Sequence, residues 1–160
     1  MAKTPEVGAI APDFTLPSVE LVDGVPVRAA RTLSAERGRP VVLAFYPGDE
    51  TLVCTKQMCA YTNELDQFTK VDALVWGISV QDLDSHERFA SRHQLGFPLL
   101  ADVSHEVTGL YGVDGFGLGT RRSVFVVGAD GLLKWKFVGL LGATYPSAAK
   151  IAEQVAAARV

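Results

Sequence analysis

Two cysteines, Cys54 and Cys59, stand close together, with Pro47 and Thr51 just ahead of them and no histidine nearby in sequence. A thiolate is a strong nucleophile, and its oxidised products are returned to the thiol by exchange with other thiols. Two thiols without a histidine beside them do not make a four-ligand zinc site. The pair is either a coincidence of small buried residues or a redox device. The stretch Phe45-Tyr46-Pro47-Gly48-Asp49-Glu50-Thr51-Leu52-Val53-Cys54 leaves an apolar run through a Pro-Gly turn and then takes up a helical period. Cys54 falls in the first turn of that helix, where unpaired N–H groups and the positive dipole end favour an anion. Thr51 is a natural N-cap, and its hydroxyl could instead bond a substrate bound at the sulfur.

Cys59 is set differently. Five helical residues turn the chain by about 500°, so Cys59 points about 140° away from Cys54. It shares that side with Thr55, Thr62 and Asp66, which predicts an exposed thiol on a polar face. An exposed free thiol is a liability and invites a functional account. The same five residues rise about 7.5 Å and hold the two Cα atoms roughly 8 to 9 Å apart. A disulfide needs them within about 7 Å. The cysteines can bond only if the start of the helix unwinds.

These side chains need a strand that ends beneath them and a helix that begins there. Pro40-Val41-Val42-Leu43-Ala44-Phe45-Tyr46 reads as a strand buried on both faces. Over residues 52–68, Cys54, Met58, Tyr61, Leu65 and Phe68 recur at spacings of four, three, four and three, one stripe of a helix. Upstream, a short strand is predicted around Phe14-Thr15-Leu16, and a hairpin across Asp23-Gly24 within 19–31. Downstream, a strand over 73–80 precedes a helix over 82–95, capped by Asp84 or Ser85, with Phe89 facing inward. A short strand over 98–101 and a short helix over 106–111 follow. Strands over 123–127 and 132–138 flank Ala129-Asp130-Gly131 as an antiparallel hairpin. Pro146 then opens a C-terminal helix to about Ala158. That order is the order of a thioredoxin-like α/β sandwich, a central mixed sheet flanked by helices. No repeat and no linker longer than a loop interrupts it, so residues 1–160 read as one domain.

The chain has 160 residues, 48% apolar and 21% charged, and composition of that kind excludes disorder, collagen-like repeats and coiled coil. A chain of this length buries roughly two-thirds of its unfolded surface and needs neither disulfide nor structural metal. A formal net charge of -3 with both signs interspersed argues against a nucleic-acid or anionic-membrane partner. No apolar run approaches the roughly 20 residues of a membrane span. The start, Met1-Ala2-Lys3-Thr4-Pro5-Glu6, lacks the basic-then-apolar pattern of a secretory signal, so a cytoplasmic protein is expected. His86, His93 and His105 read as solvated surface residues, Asp49 and Glu50 as a solvated loop, and Trp76 and Trp135 as core aromatics. Gln57 is as well placed for the pocket as for the helix surface.

Pro47-x-x-x-Thr51-x-x-Cys54 resembles the active-site signature of the peroxiredoxins, and a second cysteine five residues on resembles their bacterioferritin-comigratory, or Q, group. Ala11-Pro12-Asp13-Phe14-Thr15-Leu16-Pro17 resembles the family's entry segment. Asp84-Ser85-His86-Glu87-Arg88-Phe89-Ala90, then Phe97-Pro98-Leu99-Leu100-Ala101-Asp102, resembles its middle. Arg122-Ser123-Val124-Phe125, then Asp130-Gly131, resembles the strand that carries its active-site arginine. The resemblance implies a thiol-specific peroxidase of thioredoxin-like fold, in which Cys54 is the peroxidatic thiolate and Cys59 the resolving thiol. It further implies that Pro47 shields the thiolate, Thr51 orients the peroxide, and Arg122 stabilises thiolate and transition state. Arg121 is the neighbouring alternative, and the spacing to Phe125 favours Arg122. The implied cycle passes through a Cys54–Cys59 disulfide and is closed by thioredoxin or a similar dithiol, with no metal or organic cofactor, in a monomer or weak homodimer. The chain departs from the family pattern at Leu52-Val53, usually Pro-Gly, and at Gly48, usually lysine. Gly115-Phe116-Gly117-Leu118-Gly119 precedes a strand instead of opening a helix, so it reads as a loop near Arg122 and not as a nucleotide fingerprint. Two other classes stay open, a protein disulfide oxidoreductase and a thiol-based redox sensor. The first typically uses C-x-x-C, and four residues intervene here.

Overall fold

The computed structural model describes residues 3–115, 119–139 and 144–158. Its strands are β1 (Thr15–Val22), β2 (Val25–Thr32), β3 (Val41–Phe45), β4 (Leu74–Ser79), β5 (Leu99–Ala101), β6 (Ser123–Val127) and β7 (Leu133–Val138). The helices are α1 (Leu52–Asn63), α2 (Leu65–Thr69), α3 (Leu83–His93), α4 (Glu106–Leu110) and α5 (Ala148–Ala157), with a 3-10 turn at Leu33–Glu36. The seven strands form one mixed sheet in the order β2-β1-β5-β4-β3-β6-β7. β3 pairs in parallel with β4 and β4 with β5, whereas β6 lies antiparallel on the other side of β3.

β3 lies inside the sheet because all five of its residues are apolar and buried. Burying a Val, Leu or Phe side chain contributes about 1.5–3 kcal/mol each, which an edge position would forfeit in part. Alternate residues serve opposite faces. Val42 and Ala44, followed by Tyr46, join Met58, Tyr61, Phe68, Phe89, Ile151 and Val155 beneath α1, α2, α3 and α5. Val41, Leu43 and Phe45 join Phe14, Leu33, Trp76, Tyr111 and Phe125 on the other face, which α4 and the N-terminal segment cover. The architecture is the thioredoxin-like arrangement of a mixed sheet with helices against both faces. Among the described residues no helix is long and apolar enough to cross a membrane.

The β3–β6 register positions the site. Phe45, the last residue of β3, pairs with Ser123, the first of β6. Arg122 directly precedes Ser123, so the antiparallel pairing delivers it to the end of β3 from which the chain leaves toward Cys54.

Four local expectations change. The predicted helix over 52–68 is two helices, broken at Glu64 (φ −110°, ψ 27°), and α2 resumes with Phe68 still buried. The cap of α3 is Asp82, whose carboxylate accepts the Ser85 N–H at 2.9 Å. Ser147 caps α5 by accepting the Lys150 N–H, so Pro146 lies outside the first turn. Trp76 is core, but Trp135 on β7 is half-buried because β7 is an edge strand. The expected hairpin holds: Asp23 (φ 52°) and Gly24 (φ 78°) both occupy the left-handed region that a tight two-residue turn between β1 and β2 requires. Of the Gly-rich loop, residues 116–118 lie outside the described residues.

Candidate active site

Cys54 is the third residue of α1 and fully buried. The first four N–H groups of a helix have no partner within it, so Cys54 sits among free backbone donors. A guanidinium adds charge, because Arg122, itself 2% exposed, donates from Nη2 to Cys54 Sγ at 3.1 Å. A donor of full positive charge makes a stronger hydrogen bond than a neutral one. The second arm of Arg122 donates from Nη1 to Gln57 Oε1. Gln57 Nε2 in turn donates to Tyr61 Oη (3.2 Å), whose hydroxyl donates to the Pro146 carbonyl (2.7 Å). Gln57 is therefore a buried residue of the site, one turn below the cysteine, and it fixes the plane of the guanidinium. Arg121 is half-buried and its Nε donates to the Gly139 carbonyl, away from sulfur.

The loop between β3 and α1 supplies the remaining expected groups. Thr51 occupies the N-cap position in extended backbone, but its hydroxyl makes no capping bond. It donates to the Gly48 carbonyl instead (2.9 Å) and so closes a small ring within the loop. Gln81 brackets the same loop, accepting the Asp49 N–H (3.1 Å) and donating to the Pro47 carbonyl (3.3 Å). Glu50 adopts φ 63°, a left-handed conformation unusual for a residue with a side chain. Leu52, in the position of the usual proline, is 85% exposed.

Cys59 differs from expectation. It is half-buried and packs against the core cluster under α1, because the side of the helix it shares with Thr55 and Thr62 is itself partly covered. Both cysteines are free thiols within one unbroken helix. Burial pushes the Cys59 thiol above its ordinary value of 9.0. The sign follows from the neutral form being the one favoured in the helix. The packed thiol contributes stability below 9.0, and this is lost as pH rises through the higher native value. In a Cys54→Ser background, alkylation of Cys59 is expected to titrate at higher pH in the native protein than in denaturant. Identical profiles would remove the burial argument.

Asp49 and His86 overturn the solvated reading. Their side chains are 1% and 0% exposed, and His86 Nδ1 lies 2.6 Å from Asp49 Oδ2. Asp49 also accepts the hydroxyls of Tyr46 (2.6 Å) and Ser85 (2.7 Å). Burial first, and then the Asp49 carboxylate, push the Tyr46 hydroxyl well above its ordinary range, with the Cys54 sulfur a smaller contributor. Tyr46 is thus held as a neutral donor. The spacing of His86 to Phe89, one helical turn on α3, was the sequence signal that His86 points inward. Of the other two histidines, His93 faces Glu50 (3.2 Å) and His105 is exposed.

The buried cysteine at the start of α1 and the buried arginine beside it both lie within the stretch that a known family matches. The AhpC/TSA family model matches residues 7–136. The chain belongs to the AhpC/TSA family. Within that family it is similar to chloroplastic peroxiredoxin Q of Oryza sativa subsp. japonica, 41% identical over 130 residues, 80% of this chain and 57% of that protein. The Arabidopsis thaliana peroxiredoxin Q, also chloroplastic, is 42% identical over 129 residues, 79% of this chain and 56% of the relative. The chain thus spans somewhat over half the length of these relatives. The AhpC/TSA fold is matched by the reduced 2-Cys peroxiredoxin of Plasmodium vivax, with TM-score 0.86 at 24% identity over 97% of this chain and 83% of that one. Mycobacterium tuberculosis AhpC gives TM-score 0.86 at 21% identity over 98% and 99% of the two chains. The expected cytoplasmic location is corrected here. The relatives it matches are named chloroplastic, and that finding overturns the expectation drawn from the first residues.

Proposed function

We propose that this AhpC/TSA chain is a thiol peroxidase that reduces hydrogen peroxide and organic hydroperoxides at Cys54. The observation that carries the reading is the contact between the Arg122 guanidinium and Cys54 Sγ within a buried site. The thiolate attacks one peroxide oxygen in line, the O–O bond breaks, and the departing alkoxide or hydroxide takes a proton. Cys54 becomes a sulfenic acid and the products are an alcohol or water. Charge on the departing oxygen is met by Arg122, by the free N–H groups at the start of α1 and by the Thr51 hydroxyl once it leaves the Gly48 carbonyl. Pro47, in the loop that leads to the cysteine, is assigned the shielding of the sulfur. Cys59 then attacks the sulfenic sulfur, water leaves, and a Cys54–Cys59 disulfide forms. Thioredoxin or a similar dithiol reduces it by exchange. We assign residues 1–160 to one domain acting as a monomer or weak homodimer; the single sheet that spans the described residues supports the first part.

The test is peroxide consumption with a thioredoxin system, comparing wild type with Cys59→Ser. Wild type is expected to turn over. Cys59→Ser is expected to consume one equivalent and then stall, and full turnover by it would remove the resolving role. The verified disulfide form is expected to have less helix by circular dichroism and faster proteolysis near 52–59, because an intact helix holds the two Cα atoms roughly 8 to 9 Å apart. An unchanged spectrum and cleavage pattern would contradict the unwinding step. Consumption of one peroxide by wild type without recycling by any dithiol would favour a sensor.

A further inference from the structure

Beneath the loop that carries Pro47 and Thr51 lies a buried polar cluster with no part in the chemistry written above. Asp49 sits in the middle of that loop, and its carboxylate receives Tyr46 from the end of β3 and Ser85 and His86 from α3. His86 Nε2 is 3.0 Å from the Leu100 carbonyl on β5. That carbonyl can only accept, so Nε2 is the donor in this contact. His86 therefore ties the loop, through Asp49, to both α3 and the sheet.

The neighbouring tie is weaker. Glu50 meets Arg92 at 2.6 Å and His93 at 3.2 Å, but Arg92 is 70% and Glu50 itself 39% exposed, and contacts open to water contribute little. Glu50 nevertheless keeps its left-handed backbone, one residue before Thr51. Such a conformation persists where its surroundings over-determine it. The surroundings that do so are the buried ones on its N-terminal side, Asp49 with His86 and the Gln81 bracket. Tyr46 links the same cluster toward the sulfur, since Cys54 is among the groups that act on its hydroxyl.

We infer that His86, acting through Asp49, is a positioning residue for the peroxide-binding loop: it fixes the backbone of 47–51 and so the placement of Pro47 and Thr51 around Cys54. The inference rests on the peroxidase reading and extends it to a residue that touches neither sulfur nor substrate. It separates two reactions of one thiol. Oxidation by peroxide needs the oxygen held in line by the loop, and a misplacement of about 1 Å can cost on the order of 100-fold. Alkylation by iodoacetamide needs the sulfur that Arg122 contacts, and no oxygen held in line by the loop.

The experiment measures both second-order rates at Cys54 in reduced wild type, His86→Leu, Asp49→Ala and His86→Asn, with the melting temperature of each. His86→Leu is expected to slow oxidation by hydrogen peroxide about tenfold or more, with alkylation within about threefold of wild type. Asp49→Ala removes the same contact from the loop side and reads the proposal even where His86→Leu does not fold. The amide nitrogen of His86→Asn stands where Nδ1 stood and cannot reach Leu100. It is expected to restore the peroxide rate while melting below wild type, because a buried carbonyl has lost its donor. Peroxide rates within about threefold of wild type in both His86→Leu and Asp49→Ala overturn the inference. So does a peroxide rate that falls in step with alkylation, or with melting temperature, across the variants. A wild type whose Cys54 does not react with peroxide overturns the peroxidase reading itself and is seen before any variant is made.

Discussion

Replacing Cys54 by serine is expected to abolish peroxide turnover, a loss on the order of 10⁴-fold or more, the scale of removing an enzyme's nucleophile. A serine hydroxyl is nearly the size of a thiol and can accept the Arg122 N–H, so the buried site stays filled and hydrogen-bonded. Its proton is far harder to remove, and neither a helix start nor one guanidinium makes an alkoxide at neutral pH. The fold is therefore expected to survive, with a melting temperature within a few degrees of wild type, about 1 kcal/mol or less for a chain of this size. The measurement is peroxide consumption with a thioredoxin system beside a thermal melt. Turnover that persists in a folded Cys54→Ser protein would mean that another group is the nucleophile. Cys59 is the other thiol, half-buried with its proton held more tightly than usual, and is not expected to substitute.

Cys54 could be found in the sequence because its surroundings are local. An apolar run with no polar residue from Val41 to Phe45 fixes a strand, a Pro-Gly turn ends it, and the stripe Cys54, Met58, Tyr61 fixes the face of the helix that follows. The break at Glu64 left no such trace. No glycine or proline marks it, and α2 resumes with Phe68 still facing the core, so the hydrophobic period runs through it. Arg122 is a different case. It lies 68 residues from Cys54, and what joins them is the antiparallel register of β6 on β3, which periodicity does not determine. The family resemblance singled it out where hydrophobic periodicity could not. Asp49 and His86 were misread because charged and polar residues in a loop and on a helix are usually solvated, which is the cheaper place for them. They are buried because α3 packs onto the loop, and each gives the other a hydrogen-bonding partner there. The half-buried Cys59 has a similar origin, since a helix side that looks polar in sequence is partly covered by its neighbours.

The second large effect is expected at Arg122. Methionine there keeps an unbranched chain of similar reach and removes the charge, so the buried volume is largely retained. Two acceptors, Cys54 Sγ and Gln57 Oε1, lose their donor. An unpaired buried acceptor costs about 1–3 kcal/mol, so Arg122→Met is expected to melt lower. The kinetic loss is expected to be larger. The guanidinium meets both the ground-state thiolate and the charge that builds on the departing oxygen, and losing one preorganised donor of that kind costs about 10²–10³ in rate. Arg122→Lys keeps a positive charge but offers a point in place of a fork, so it can serve sulfur or Gln57 and not both in the same geometry. Its peroxide rate is expected to fall between those of wild type and Arg122→Met. Alkylation of Cys54 separates the two roles of the arginine, because it depends on the thiolate and not on the departing oxygen. In Arg122→Met both rates fall, and the peroxide rate falls further. Equal losses would confine Arg122 to holding the thiolate, and a peroxide rate within about threefold of wild type would take it out of the reaction altogether.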